Sequence, residues 1–251
     1  MLKVIFYMLS GISFMYSTYF IVMGFGLVKK NKKTKDIKKN NKFAIIIAAR
    51  NEALVIGNLI DSLKNQNYPK DKYEIFVIVN NCTDNTEEVA LNHNVNVVKC
   101  DEKVSSKGQV LKFAYEILKL RTDIDAYAIF DADNIVHKEF LNVANDILNR
   151  GYNVAQGFRD TKNISDNWIS SSYAILYYMQ SLFMNQSRYC LGKSSFLNGT
   201  GFVVKKEVID KYGFDPKTVT EDIEFTAMCA INNEKIAFMK DAITYDEQVT
   251  R

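Results

Sequence analysis

Short apolar runs alternate with amphipathic stretches over much of this chain. "FAIIIAAR" (43–50), "EIFVIVNN" (74–81), "VNVVKC" (95–100) and "DAYAIFDAD" (125–133) are brief and β-branched or aromatic, and read as buried strands. Between them, "NEALVIGNLIDSLKNQ" (51–66) places Leu54, Ile56, Leu59, Ile60 and Leu63 at helical spacing. "SSKGQVLKFAYEILKL" (105–120) does the same with Val110, Leu111, Ala114, Ile117 and Leu118. "TDNTEEVALNHN" (83–94) opens on a plausible cap and predicts a third helix. Strand and helix in alternation predict right-handed β-α-β units, hence an α/β fold with a mostly parallel central sheet and helices on both faces.

A different pattern precedes this one. Val4 to Val28 contains no charged residue. As a helix it would extend roughly 37 Å, enough to cross a hydrocarbon core of about 30 Å with some tilt. It is longer than the apolar part of a signal peptide and is followed by lysines, not by a small-residue cleavage site. "KKNKKTKDIKKNNK" (29–42) comes next, with eight lysines and one aspartate. The predicted organisation is a transmembrane anchor (1–28), a basic linker (29–42) and one α/β domain (43–251). The positive-inside rule puts the lysines and the domain in the cytoplasm, single-pass at the cell membrane. The linker lysines are also suited to anionic headgroups.

Composition narrows the classes. The chain has 251 residues, 47% hydrophobic and 24% charged, enough to build a core. Its net charge of +3 is misleading, because residues 1–42 hold nine lysines against one aspartate and the remainder is acidic. An acidic globular part argues against nucleic acid as a partner. Four scattered cysteines and two distant histidines form no zinc or disulfide pattern, and read as thiols in a reducing compartment and surface imidazoles.

Polar groups cluster where three strands end. Arg50, Asn51 and Glu52 follow the first, Asn80 and Asn81 end the second, and Asp131 and Asp133 close the fourth. In open α/β sheets ligands bind outside the carboxyl ends of strands. Two carboxylates at i and i+2 repel, and a hard divalent cation shared with phosphate oxygens relieves the repulsion. No G-x-G-x-x-G or P-loop pattern is present. "VTEDIEFTAMCAI" (219–231) puts Glu221 and Asp222 at a helix start, with Thr220 a possible cap; a general base and a favourable dipole interaction both fit. "LNGTGFVVKKEVI" (197–209) sets glycines around Thr200 before a strand, either an ordinary turn or a close approach to ligand. The aromatic helix "SDNWISSSYAILYYMQSLFMNQ" (165–186) is expected to be core, although such helices also lie at membrane interfaces.

Six motifs in order, "AARNE", "VNNCTDNT", "SSKGQVL", "FDADN", "LNGTG" and "TED", resemble those of family 2 glycosyltransferases with the GT-A fold, of the membrane-bound type that includes cellulose, hyaluronan and chitin synthases. The resemblance covers about residues 43–251. It implies an inverting transfer of sugar from a nucleotide-sugar, UDP-N-acetylglucosamine or UDP-glucose, to a hydroxyl of a glycan or lipid acceptor in cell-envelope polysaccharide synthesis. It implies a nucleotide-sugar site at Ala48, Arg50, Glu52, Asn80, Lys107 and Asp131, and Mg²⁺ or Mn²⁺ at Asp131 and Asp133. Lys107 would neutralise the diphosphate. Gly199, Thr200, Gly201 and Glu221 would lie on the acceptor side, and Asp222 would be the catalytic base. Asn80 departs from the family, which commonly has an aspartate reading the uracil N3–H there; its side-chain carbonyl can accept that bond without charge assistance. The family's Q-x-x-R-W motif would follow soon after "TYDEQVTR", so the chain is expected to be a piece of a longer protein. A haloacid dehalogenase-type phosphatase also carries D-x-D after an apolar strand, but near the start of its domain. A non-catalytic, membrane-tethered nucleotide-sugar-binding module is the other alternative.

Overall fold

Strand β1 (Phe43–Ala49) is buried along nearly its whole length and pairs in parallel on both sides, with β2 (Tyr73–Asn80) and with β4 (Ala126–Asp131). The computed structural model describes residues 2–29, 39–101 and 104–250. Most of the lysine-rich stretch 29–42 therefore lies outside the described residues. Beyond β2 the edge strand β3 (Asn96–Cys100) is also parallel. Beyond β4 the sheet changes sense: β7 (Phe202–Lys205) runs antiparallel between β4 and β6 (Val154–Thr161). β8 (Ile236–Asp246) is parallel to β6, and the two-residue β5 (Ile135–Val136) closes the far edge. The full order is β3-β2-β1-β4-β7-β6-β8-β5.

Alternation along the central strands sends side chains into two cores. Phe43, Ile45 and Ile47 of β1 pack with α2 (Ile56–Lys64), α3 (Thr86–Asn92) and α5 (Phe140–Asn149) on one face. Ala44 and Ile46 pack on the other with α4 (Lys107–Leu118), α8 (Lys206–Tyr212) and α9 (Glu221–Ile231). These strands are covered twice, which is why they read as continuous apolar runs rather than as alternation. Two apolar positions leave the expected pattern: α2 starts only at Ile56, so Leu54 is exposed in the preceding turn, and Ile117 lies on the outer side of α4.

Helix α1 (Leu2–Val28) is the single helix among the described residues long and apolar enough to cross a membrane by length and composition. Its last third packs against the segment Gln180–Gln186, a π-helical stretch that follows α6 (Trp168–Met179), and against α7 (Ser187–Cys190). The expectation that the aromatic segment is core is corrected here. Only Ser170 and Ala174 of α6 are buried, whereas Trp168 is 78% exposed and Ile175, Leu176, Tyr178 and Met179 are exposed as well. The inner face of α6 is small and polar, and its large apolar residues point away from the sheet.

Candidate active site

The parallel strands β1, β2 and β4 deliver their carboxyl ends to one cavity of about 420 Å³. Ala48, Arg50, Glu52, Asn80, Lys107, Asp131 and Asp133 all line it. The loops that follow β1 and β2 are tied to each other. Asn51, in the left-handed region at φ 58°, accepts from the Thr83 amide at 2.8 Å, and the Glu52 amide donates to the Thr86 hydroxyl at 2.8 Å. Asp84 accepts from the Ala53 amide at 3.1 Å. Asn80 is buried, its Nδ2 donates to the Cys100 carbonyl at 3.0 Å, and its Oδ1 accepts from Asn81.

Lys107 begins α4, which Ser106 caps by accepting from the Gln109 amide. The lysine ammonium pairs with Asp131, donates to the Gly199 carbonyl at 2.6 Å and stands 3.9 Å from Glu221. It thus joins the D-A-D strand end to the glycine loop and to the start of α9. Burial pushes the Glu221 carboxyl upward, and Lys107 opposes that shift. Burial, then Asp131 and Asp84, raises Glu52. Asp133 is pushed up to about 6, by burial first and then by Asp246 and Asp131; Lys162 works the other way. Burial is the leading cause at all three, so their ionised forms are poorly solvated.

The acceptor-side expectations divide. Gly199 has φ 87°, and a Cβ placed on it would lie 3.6 Å from the Asp222 carboxylate, so Asp222 stands beside the glycine whose carbonyl Lys107 holds, although it is not part of the cavity lining. Thr200, expected to face an acceptor, is fully buried. It accepts from the Asp131 amide at 2.9 Å and donates to Asn134 Oδ1, so it braces the carboxylate strand end from beneath. Gly201 (φ 60°) is required by packing, because a Cβ there would collide with the Thr244 hydroxyl. Thr220 sits at the N-cap of α9, yet its hydroxyl does not cap it. Glu224 organises this helix start instead, accepting from the Lys217 and Thr218 amides at 2.9–3.0 Å.

Several residues here carried no motif signal. Arg159 and Asp246 line the same cavity and form a buried pair. Arg159 also donates to the Asn198 carbonyl at 3.2 Å and stacks 3.9 Å from the Tyr177 ring centre. Asp246 accepts from Asn134 at 3.0 Å and from Gln248 at 3.2 Å. A lone arginine in a strand and an acid after one are ordinary in sequence; only the sheet order, with β6 beside β8, brings them together. Among the described residues no group of three or more Asp, Glu, His or Cys side chains converges as a cation site. Asp131 and Asp133 offer hard oxygen donors only, which suits a Mg²⁺-type ion that completes its shell with water and phosphate oxygens.

Comparison with known proteins agrees with this geometry. A beta-monoglucosyldiacylglycerol synthase of Synechocystis is 24% identical over 210 residues, 82% of this chain and 44% of that protein. The chain spans about half the length of the curated relatives it matches. A mannosyltransferase of Pyrobaculum calidifontis, solved with GDP-Man and Mn²⁺, superposes with a TM-score of 0.69 at 17% identity, over 94% of this chain and 67% of that one. TarS of S. aureus, residues 1–349 with UDP-GlcNAc, gives 0.60 at 17% identity over 84% and 59%. These two likenesses establish a GT-A fold. The profile of the family described as "Glycosyltransferase like family 2" matches residues 40–251, which sets aside the phosphatase alternative: the chain belongs to that family.

Proposed function

We propose that this chain is the donor-binding and catalytic part of a membrane-anchored, inverting glycosyltransferase that uses a nucleotide-sugar and a divalent cation. The observation that carries the reading is that Lys107 and Asp222 meet at the same residue of the glycine loop, the lysine ammonium on the Gly199 carbonyl and the Asp222 carboxylate 3.6 Å from where a Gly199 Cβ would sit. A sugar held in the cavity with its diphosphate near Lys107 would present its anomeric carbon toward that loop. Asp222 would take the proton of an acceptor hydroxyl as its oxygen forms the new bond to the anomeric carbon, while the bond to the diphosphate breaks on the opposite face. Lys107 would hold the negative charge that develops on the leaving diphosphate. Bound at Asp131 and Asp133, Mg²⁺ or Mn²⁺ would add to that charge neutralisation. Asn80 Oδ1, which accepts from Asn81, would use its second lone pair to accept a base N–H, its Nδ2 being engaged by the Cys100 carbonyl.

The glycolipid synthase among the relatives supports a lipid acceptor over a soluble one. Exposed α1 supports attachment to the cell membrane, and the lysines after Val28 support a cytoplasmic domain. The test is Asp222→Asn in the full-length protein, assayed for transfer from UDP-glucose and UDP-N-acetylglucosamine. Turnover should fall by at least about 10²-fold with donor affinity nearly unchanged, because a base acting on the acceptor contributes to the transition state only. A variant that melts earlier yet keeps most of its rate would reduce Asp222 to a helix-start carboxylate, whereas UDP binding with no turnover in the unsubstituted full-length protein would reduce the chain to a nucleotide-sugar-binding module.

A further inference from the structure

Helix α1 is free of the domain over only part of its length. Leu2 to Thr18 are exposed throughout, and from Tyr19 onward the helix is engaged. Phe20 meets Phe183 edge-on at 6.2 Å, the Met23 carbonyl accepts from the Ser187 hydroxyl, and the Tyr19 hydroxyl accepts from Arg188 at 3.1 Å. Gly26 lies so close to the Ser187 backbone that no side chain fits there. The free part is roughly 25 Å long at about 1.5 Å per residue, short of a hydrocarbon core of about 30 Å. A core entered at Val4 extends to about Met23, and any tilt places its end further along the helix. Phe20 is then still within the acyl region, and so is the Phe183 ring packed on it. If α1 spans, the surface docked on it cannot stand clear of the lipid.

That docked surface runs directly back into α6. No charged residue occurs between Asp166 and Arg188. On α6, Trp168, Ile175, Leu176 and Met179 share one face, and Ile164 precedes them at the same spacing; all five are exposed. The opposite face belongs to the domain, with Ala174 buried and Tyr177 stacked on Arg159. An apolar stripe of this size, continuous with a membrane-length helix and backed by a polar site, has the chemistry of an interfacial element. We propose that α6 lies in the headgroup-to-acyl boundary of the leaflet through which α1 reaches the domain, so the catalytic domain is seated on the bilayer by two elements rather than hung from one. This rests on the reading of α1 as a span. The seat adjoins the active site: Tyr177 of the seated helix touches Arg159, which lines the donor cavity, so an acceptor with a lipid tail could enter along the same face.

Trp168 is the chain's single tryptophan, and its fluorescence reports the stripe directly. The full chain is reconstituted into phosphatidylcholine–phosphatidylglycerol vesicles, floated on a density gradient and washed with carbonate. The expected result is a floating, carbonate-resistant chain whose emission is blue-shifted relative to detergent-free unfolded chain and quenched by lipids brominated high on the acyl chain. A chain that floats while Trp168 emits as if in water and escapes quenching overturns the seating of α6 and leaves the anchor standing. A chain that does not float overturns the span and the proposal with it. As a second arm, the Ile175→Glu/Leu176→Glu double variant alters exposed positions only, so the fold is retained; it should still float but lose the quenching, whereas Leu120→Glu, also exposed, should change nothing. Undiminished quenching in the double variant also overturns the seating.

Discussion

Asp133 is held among burial, Asp246 and Asp131, and its carboxyl titrates near 6 instead of in the usual acid range. The sign of the consequence follows from linkage. A carboxyl whose folded pKa is raised stabilises nothing when ionised: below about pH 4 both folded and unfolded chains are protonated, and between about 4 and 6 the unfolded chain loses its proton first, so stability falls as pH rises. Above about 6 the whole penalty is present. A divalent cation binds the ionised form and removes that penalty. Mn²⁺ should therefore raise the melting temperature more at about pH 7.5 than at about pH 5, where the proton competes for the same oxygen. Asp133→Asn should abolish the difference. Thermal melts with and without Mn²⁺ at the two pH values measure it, and equal shifts at both would remove Asp133 from the cation site.

At the scale of elements, the site is a set of strand ends held in register by one polar chain. Tyr177 of α6 stacks on Arg159 of β6, Arg159 grips Asp246 at the end of β8, Asp246 binds Asn134, and Asn134 and Thr200 together hold the Asp131 amide. Asp246 is nearly inaccessible, so Arg159→Ala would strand a buried carboxylate and should cost about 3–5 kcal/mol. Adding Asp246→Asn removes the stranded charge and should recover most of that loss, a coupling that denaturant melts of the double-mutant cycle would read. Additive losses would show that the two residues act separately. The fold class, the family and most of the donor side of the cavity could be read from sequence. The strands β1, β2 and β4 could, because double burial writes them as apolar runs, and so could the carboxylates at their ends. The β6–β8 pairing could not, since it depends on β7 reversing the sheet beside β4. The burial of Thr200 could not either, because a glycine-flanked threonine looks the same in a ligand loop as in a brace. Nor could the outward face of α6, whose aromatic content matches that of a core helix.

For the molecule as a whole, the question is whether α1 belongs to the fold or only to its address. Both hydrophobic cores are built from residues after 42, and α1 contributes to neither; its one buried residue is Gly26. Contacts from Tyr19 to Gly26 dock it on the π-helical segment and α7 without entering the sheet's layers. A chain beginning at residue 39 should therefore unfold as cooperatively as the full chain. Its melting temperature should stay within the roughly 2–4 °C that about 1 kcal/mol represents in a domain of this size. Stabilisation by UDP and Mn²⁺ should also survive, since the cavity lining begins at Ala48. Membrane behaviour should separate from stability. Loss of a span removes the stronger attachment, but the apolar stripe of α6 remains and Phe183 loses Phe20 from its side. Binding to vesicles should thus become weak and reversible rather than vanish, and it should resist added salt, because apolar burial and not charge drives it. Calorimetric melts and vesicle sedimentation of the shortened chain test both halves. A broad or much lower transition would make α1 a structural part of the domain; an intact transition with no vesicle binding would leave α1 as the whole of the membrane attachment.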